Sequence, residues 1–195
     1  FKKKGYSVIA NDIQYYSFVL NKQYIENHDY LEFQKLAKVL PEMKNIEIDK
    51  RKNFVCDYLS NIRGTKGFIF KNYCFGGTKN QKFQRQYFSD ENGKRCDAIR
   101  TEIENWKKEK LINANEYYFL LTSLLETIDK HANTASVYGA FLKQLKKTAQ
   151  KPFVLKSAEL IINDREHQVF NEDINELVSK VEGDILYLDP PYNHR

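Results

Sequence analysis

The 195-residue sequence predicts an α/β fold interrupted by a mostly helical insertion that carries a hairpin. Three observations predict it. Tyr6 to Ala10 is a short run of β-forming residues, ended by Asn11-Asp12 and followed by Tyr16, Val19, Leu20 and Tyr24 at helical spacing. Ile185 to Leu188 is a continuous apolar run, the pattern of a strand buried on both faces. Between them lies far more chain than one βαβ crossover needs, and most of it has helical periodicity.

The elements follow in order. A second helix is expected from about Tyr30 to Leu40, where Pro41 stops it, and a third from Ile48 to Ile62. From Gly64 to Arg100 the character changes. Five glycines punctuate the stretch, aromatics alternate with Lys and Arg, and Asn92-Gly93 is a turn signal, so loop and hairpin are expected there. Helices return over Cys96 to Lys110, Asn115 to His131 and Ser136 to Thr148. Phe153 to Leu155, Leu160 to Ile162 and His167 to Phe170 read as strands, and Ile174 to Val181 as a helix. No repeat or low-complexity segment interrupts the order.

Composition narrows the function classes. Apolar residues make up 42%, aromatics 14% and charged residues 29%, a globular mixture rather than a disordered one. No stretch is long and apolar enough for a membrane span. Cys56, Cys74 and Cys96 form no CxxC pair, and His28, His131, His167 and His194 form no HExxH pair, so no metal site is expected. An odd number of scattered cysteines suits a reducing, cytoplasmic compartment. The net charge of +5 permits nucleic acid as a partner without demanding it.

The sharpest chemical feature is Asp189-Pro190-Pro191-Tyr192, placed where a buried strand should end. Ligands of open α/β sheets bind at that edge. Two successive prolines remove two N–H donors and leave their carbonyls, and an ionised Asp189 only accepts. Tyr192 adds a flat aromatic face. Such a loop suits a planar ring bearing an exocyclic amine. Accepting both amine hydrogens while the ring stacks would free the nitrogen lone pair for attack on an activated methyl group.

These residues resemble the DPPY motif of amino-methyltransferases that use S-adenosylmethionine. The chain more narrowly resembles the Dam-like class of adenine-specific DNA methyltransferases. The likeness also includes Val8-Ile9-Ala10-Asn11-Asp12-Ile13, Arg85-Gln86-Tyr87-Phe88 with Asn92-Gly93-Lys94, and Ala135-Ser136-Val137-Tyr138-Gly139-Ala140-Phe141. The resemblance implies a Rossmann-like methyltransferase core, incomplete here, from residues 1–29 and 152–195, with residues 30–151 as the helical insertion. It implies that Asp189, the Pro190 carbonyl and Tyr192 act on a flipped adenine. Asp12 would hold the cofactor ribose, Asp173 would accept its adenine amine, and Asp189 would also border the cofactor. Helix capping is the competing role for Asp12 and for Asp173, which begins an Asp-x-x-Glu sequence.

Residues 64–100 are the candidate target-recognition segment within that insertion. Arg85, Lys94 and Arg100 would meet phosphates or guanine, with Tyr87 and Asn92 nearer the bases. Double-stranded DNA and a cognate restriction endonuclease are the implied partners. The family's Gly-rich cofactor loop does not occur in the chain, so residues 1–195 alone are expected to bind cofactor poorly. An RNA amino-methyltransferase and a non-catalytic DNA-binding module remain rival readings.

Overall fold

A computed structural model describes residues 1–135 and 142–189. Its one β-sheet among the described residues has two parallel strands, β1 (Ile9–Asn11) and β2 (Gln168–Phe170). Ile9 pairs with Gln168, Ala10 with Val169 and Asn11 with Phe170. The ladder continues beyond both ends through Gln168 N–H to the Val8 carbonyl (3.1 Å) and Asp12 N–H to the Phe170 carbonyl (3.4 Å). The rest is mainly helical, so the α/β expectation is met only by a small parallel pair.

Helix α1 (Tyr15–Asn21) follows β1 and widens into a π-helical turn over Lys22–Glu26. The Thr122 hydroxyl donates to the Val19 carbonyl at 3.3 Å. A side chain competing for a ladder carbonyl is a recognised cause of such a widening. The helix expected over Tyr30 to Leu40 is instead two 3-10 turns, Gln34–Lys38 and Pro41–Asn45. Phe33 breaks it with a left-handed backbone (φ 48°). Its N–H donates to Glu116 Oε1 at 2.5 Å, and its buried ring meets Phe119 edge-on.

Helix α2 (Ile48–Asn61) matches its periodicity and buries Val55, Cys56 and Leu59. The Arg95 guanidinium donates to the carbonyls of Ser60 and Ile62, which a helix end leaves without internal partners.

The loop-and-hairpin expectation for residues 64–100 is corrected to helices α3 (Phe68–Tyr73), α4 (Phe75–Thr78) and α5 (Asp90–Lys108). Two carboxylates on α5 explain the short ones. Asp97 accepts from the N–H groups of Gly67 (2.9 Å), Ile69 (2.8 Å) and Phe70 (2.8 Å). Asp90 accepts from Gly76 N–H at 2.9 Å. Each supplies a negative charge to a helix start that lacks a local cap. Asn92-Gly93 is not a turn but part of the first turn of α5, after the Ser89 cap. Gly93 is there for close approach, since a Cβ would lie 2.2 Å from Cys74 Sγ.

Helix α6 (Ala114–His131) starts at a capping box between Asn113 and Glu116 and forms the centre of the core. Phe119, Leu120 and Leu124 share one buried cluster with Val19 of α1, Leu59 of α2, Ile99, Ile103 and Trp106 of α5, and Phe153 and Leu155.

Four further expectations change. The helix from Ser136 to Thr148 falls partly on residues 136–141, outside the described residues, and residues 142–146 are not helical. Only α7 (Lys147–Gln150) forms. Phe153 to Leu155 and Leu160 to Ile162 are not strands. This chain runs extended along helices whose hydroxyls replace a neighbouring strand: Leu155 N–H donates to Ser60 Oγ, Lys156 to Thr127 Oγ1 and Ala158 to Ser123 Oγ. The helix α8 (Ile174–Leu177) is shorter than expected. Ile185 to Leu188 is neither strand nor buried; Ile185 and Tyr187 are 84% and 83% exposed. No strand among the described residues lies beside it to take its ladder bonds.

Candidate functional site

The carboxyl edge of the β1–β2 pair gathers polar residues from both ends of the sequence. Asn11 closes a two-way amide bridge, donating from Nδ2 to the Glu172 carbonyl and accepting Glu172 N–H at Oδ1, both at 3.0 Å. Asn171 Nδ2 donates to the Asp12 carbonyl at 2.6 Å. These bonds fix the two strand exits side by side. Asp12 and Asp173 therefore project from one edge, the edge at which parallel sheets bind ligands.

Both carboxylates also shape the backbone. Asp12 Oδ1 accepts Gln14 N–H at 2.8 Å, turning the chain into α1. Asp173 Oδ1 accepts from Asn175 N–H (2.8 Å) and Asn175 Nδ2 (2.9 Å) at the cap of α8. In each case the second oxygen carries no protein hydrogen bond among the described residues. Asp12 is half-buried and Asp173 exposed. Two acceptor-only groups, each with an oxygen to spare, fit ribose hydroxyls or an exocyclic amine. The clamp residues Asn11, Asn171 and Glu172 were not singled out from sequence. An amide at a strand end beside an acid is the signal that marks Asn11.

Asp189 is exposed and lies just past the apolar run. Pro190 and Tyr192 lie outside the described residues. The three cysteines are free and buried, and burial pushes their thiols up to about 12. A thiol so raised carries almost no thiolate near neutrality, so none is equipped as a covalent nucleophile.

The predicted recognition residues divide by environment. Arg85 is exposed; its guanidinium reaches the Asn72 carbonyl (3.2 Å) and lies over the Tyr73 ring. Tyr87 is 40% exposed, edge-on to Tyr73. Lys94 is half-buried and paired with Glu91 at 2.6 Å, a hydrogen bond that raises its pKa. Arg100 is exposed and paired with Glu104. Asn92 is buried, 4% exposed, and its amide donates to the carbonyls of Ala149 and Lys151, both at 2.9 Å.

Charge distribution supplies a signal that residue-by-residue reading missed. Residues 58–89 contain no Asp or Glu, yet carry Arg63, Lys66, Lys71, Lys79, Lys82 and Arg85. Outside these 32 residues, 25 basic residues face 26 acidic ones, so the whole positive excess resides here. All six cations are exposed, and none is in an ion pair among the described residues. Of the acids on α5, Asp90 and Asp97 are turned onto backbone N–H groups, while Glu91 is exposed and pairs with Lys94. A basic stretch of this kind suits a polyanionic partner.

The described residues thus offer two acidic side chains at a parallel-strand edge and, elsewhere in the chain, a stretch rich in cations. The sequence comparison makes that specific: the chain belongs to the D12 class of N6 adenine-specific DNA methyltransferases, whose family model matches residues 1–195. It is 47% identical over 195 residues to the type II methyltransferase M.NlaIII of Neisseria lactamica, covering 100% of this chain and 52% of that protein. It is 35% identical to the modification methylase StsI of Streptococcus sanguinis and 36% identical to the type II methyltransferase M.FokI of Planomicrobium okeanokoites, with 99% of this chain covered in both. It spans about half the length of M.NlaIII and little more than a quarter of the other two (27% and 28%). No solved structure matches it.

Proposed function

We propose that the full-length protein carrying this chain is a site-specific DNA adenine methyltransferase. It moves a methyl group from S-adenosylmethionine to the exocyclic amine of an adenine flipped out of duplex DNA. The observation that carries this reading is the match of the D12 family model to the whole chain. The two open carboxylates and the acid-free basic stretch of residues 58–89 support it.

In this reading the chain divides its work. Residues 1–29 and 152–195 contribute to a Rossmann-like core, and residues 30–151 form the insertion that meets DNA. Asp12 holds ribose hydroxyls and Asp173 accepts an adenine amine at the same sheet edge. S-adenosylmethionine, when bound, supplies the activated methyl on a positively charged sulfur. Asp189 borders that site, and with the Pro190 carbonyl it accepts the hydrogens of the target amine while Tyr192 stacks on the ring. Holding the amine this way leaves its lone pair aimed outward, and orientation supplies much of the acceleration. Arg85 and Tyr87 face the duplex. Lys94 and Arg100 reach phosphates by exchanging their glutamate partners for the backbone. Asn92 positions the chain at Ala149 and Lys151 rather than touching a base.

Residues 1–195 alone are expected to bind the cofactor weakly, because the Gly-rich cofactor loop of the family does not occur among them. Three free thiols suit the reducing cytoplasm, and a cognate restriction endonuclease is the partner that the relatives' type II names suggest.

The test is methyl transfer from labelled cofactor by the full-length protein to duplex DNA and to RNA. Incorporation into duplex DNA as N6-methyladenine is the expected result. Incorporation into RNA alone, or none in either while DNA is still bound, would overturn the reading in favour of an RNA enzyme or a binding module.

A further inference from the structure

The chain holds a second stretch without acids. Residues 130–158 contain no Asp or Glu and carry Lys130, Lys143, Lys146, Lys147, Lys151 and Lys156. Outside this stretch and residues 58–89, 19 basic residues face 26 acidic ones. Lys143 and Lys147 are exposed and Lys146 is half-buried. None of these three is in an ion pair among the described residues. Acids border the stretch in sequence at Asp129 and Glu159, both exposed, and Glu159 pairs with Lys3.

The two acid-free stretches are distant in sequence, yet one side chain joins them. Asn133, just past the end of α6, is 3% exposed. Its Nδ2 donates to the carbonyls of Gln86 and Gln144, both at 3.1 Å. Its Oδ1 accepts Lys146 N–H at 2.9 Å, and its own N–H donates to the Tyr87 carbonyl at 2.7 Å. Both amide hydrogens and the amide oxygen are thus engaged, and they tie the end of the first stretch to the middle of the second. Arg85 precedes Gln86 and Lys143 precedes Gln144, so the backbones that bear these two cations run side by side. None of residues 142–148 is buried. Apolar packing therefore does little to place this segment, and the amide of Asn133 does most of it.

We propose that residues 142–148 are a second arm of the DNA surface, in which Lys143, Lys146 and Lys147 contact backbone phosphates and Asn133 holds the arm in register with Gln86 and Tyr87. This rests on the methyltransferase reading above and extends the contact surface beyond residues 64–100. A duplex carries its charge along its whole length, so cations set at two places along it release more counterions than one cluster does. Lysine ammonium groups are compact point charges that suit phosphates and carry no base readout. Asn133 is then a positioning residue. It is buried, touches no DNA, and acts through where it puts the lysines.

The experiment uses the full-length protein and measures duplex affinity against salt concentration, on DNA that the protein methylates and on an unrelated duplex. The first variant combines Lys143→Ala, Lys146→Ala and Lys147→Ala. Each lost phosphate contact lowers the salt slope by about 0.9, so the triple variant should lower it by about 2–3 and weaken both duplexes alike, by roughly 10-fold or more. A control that removes three exposed lysines elsewhere, Lys38→Ala, Lys44→Ala and Lys108→Ala, should leave the slope unchanged. Asn133→Ala removes no charge, yet should lower the slope by about 1 or more. Added to the lysine triple it should cause no further loss of affinity, because the groups it positions are already gone. A triple variant with the wild-type slope, a control that loses as much, or a loss confined to the methylated duplex overturns the arm while leaving the enzyme reading intact. A further loss from Asn133→Ala on top of the triple overturns the positioning role. Wild type that binds neither duplex overturns the enzyme reading, and the arm with it.

Discussion

Aspartate does opposite work in two regions of this molecule. At the sheet edge, Asp12 and Asp173 each engage one oxygen with the backbone and leave the other available to a ligand. Under the basic surface, Asp97 is 6% exposed and gives both oxygens to three N–H groups. The same side chain thus offers an acceptor in one place and in the other braces α3 while showing little negative charge to solvent. Residues 58–89 themselves carry six exposed cations and no acid. Burial and local N–H supply, not residue type, decide between these roles.

Variants can break that contrast. The largest effect is expected from Lys79→Glu, Lys82→Glu and Arg85→Glu combined in the full-length protein. Three reversals should weaken duplex binding by about 100-fold or more at low salt and flatten the salt slope. Cofactor affinity, measured by calorimetry, should stay unchanged. Loss of both together would mean that the two regions are not separable.

Asp12→Ala tests the sheet edge from the other side. Losing a charged acceptor should raise the cofactor dissociation constant by roughly 10- to 100-fold, with duplex affinity and its salt slope intact. An unchanged cofactor affinity would leave Asp12 as a turn residue only.

Asp97→Asn keeps the size and removes the charge. One oxygen then serves three donors, and stability should fall by roughly 2–3 kcal/mol in urea unfolding. Asn92→Ala should cost about 1–2 kcal/mol while duplex affinity stays within a few fold. A large affinity loss with no change in stability would return Asn92 to the DNA contacts.

The smallest effect concerns pH. His167 Nδ1 accepts Val8 N–H at 3.1 Å beside β1, which needs a neutral ring. Burial, then the charge of Lys2 and the nearby His28, lower its pKa, with Asn163 Oδ1 facing Nε2. A depressed folded value means that its contribution is complete above the unfolded value near 6.5 and is lost as pH falls through the folded value. His167→Gln should therefore flatten the fall in stability below about pH 6.5. An unaltered acid limb would contradict this.

Periodicity was enough to read α2, α6 and α5 from Cys96 onward, because each buries a stripe of its own residues; the first turns of α5 read as a hairpin. The parallel strand at Gln168–Phe170 was legible for its β-formers. Helices α3 and α4 were not, because the charges that cap them lie on α5, distant in sequence from Gly67 and Gly76. Glycines there looked like turns when Gly93 in fact makes room for Cys74. The run at Phe153 looked like a strand because extended chain and strand share a pattern; hydroxyls on α2 and α6 satisfy it instead. At the candidate site, the sequence pointed to Asp12, Asp173 and Asp189; the structure brings the first two to one sheet edge, while the buried strand expected before Asp189 does not form. The amide clamp of Asn11 joins residues too far apart for any local pattern.

The most direct test of the central claim is mapping N6-methyladenine in the DNA of cells expressing the full-length protein or its Asp189→Ala variant. The account predicts methylation at one recurring sequence with wild type and none with the variant, while purified variant binds duplex DNA within a few fold of wild type. Methylation that survives Asp189→Ala, or no N6-methyladenine from the wild type, would contradict it.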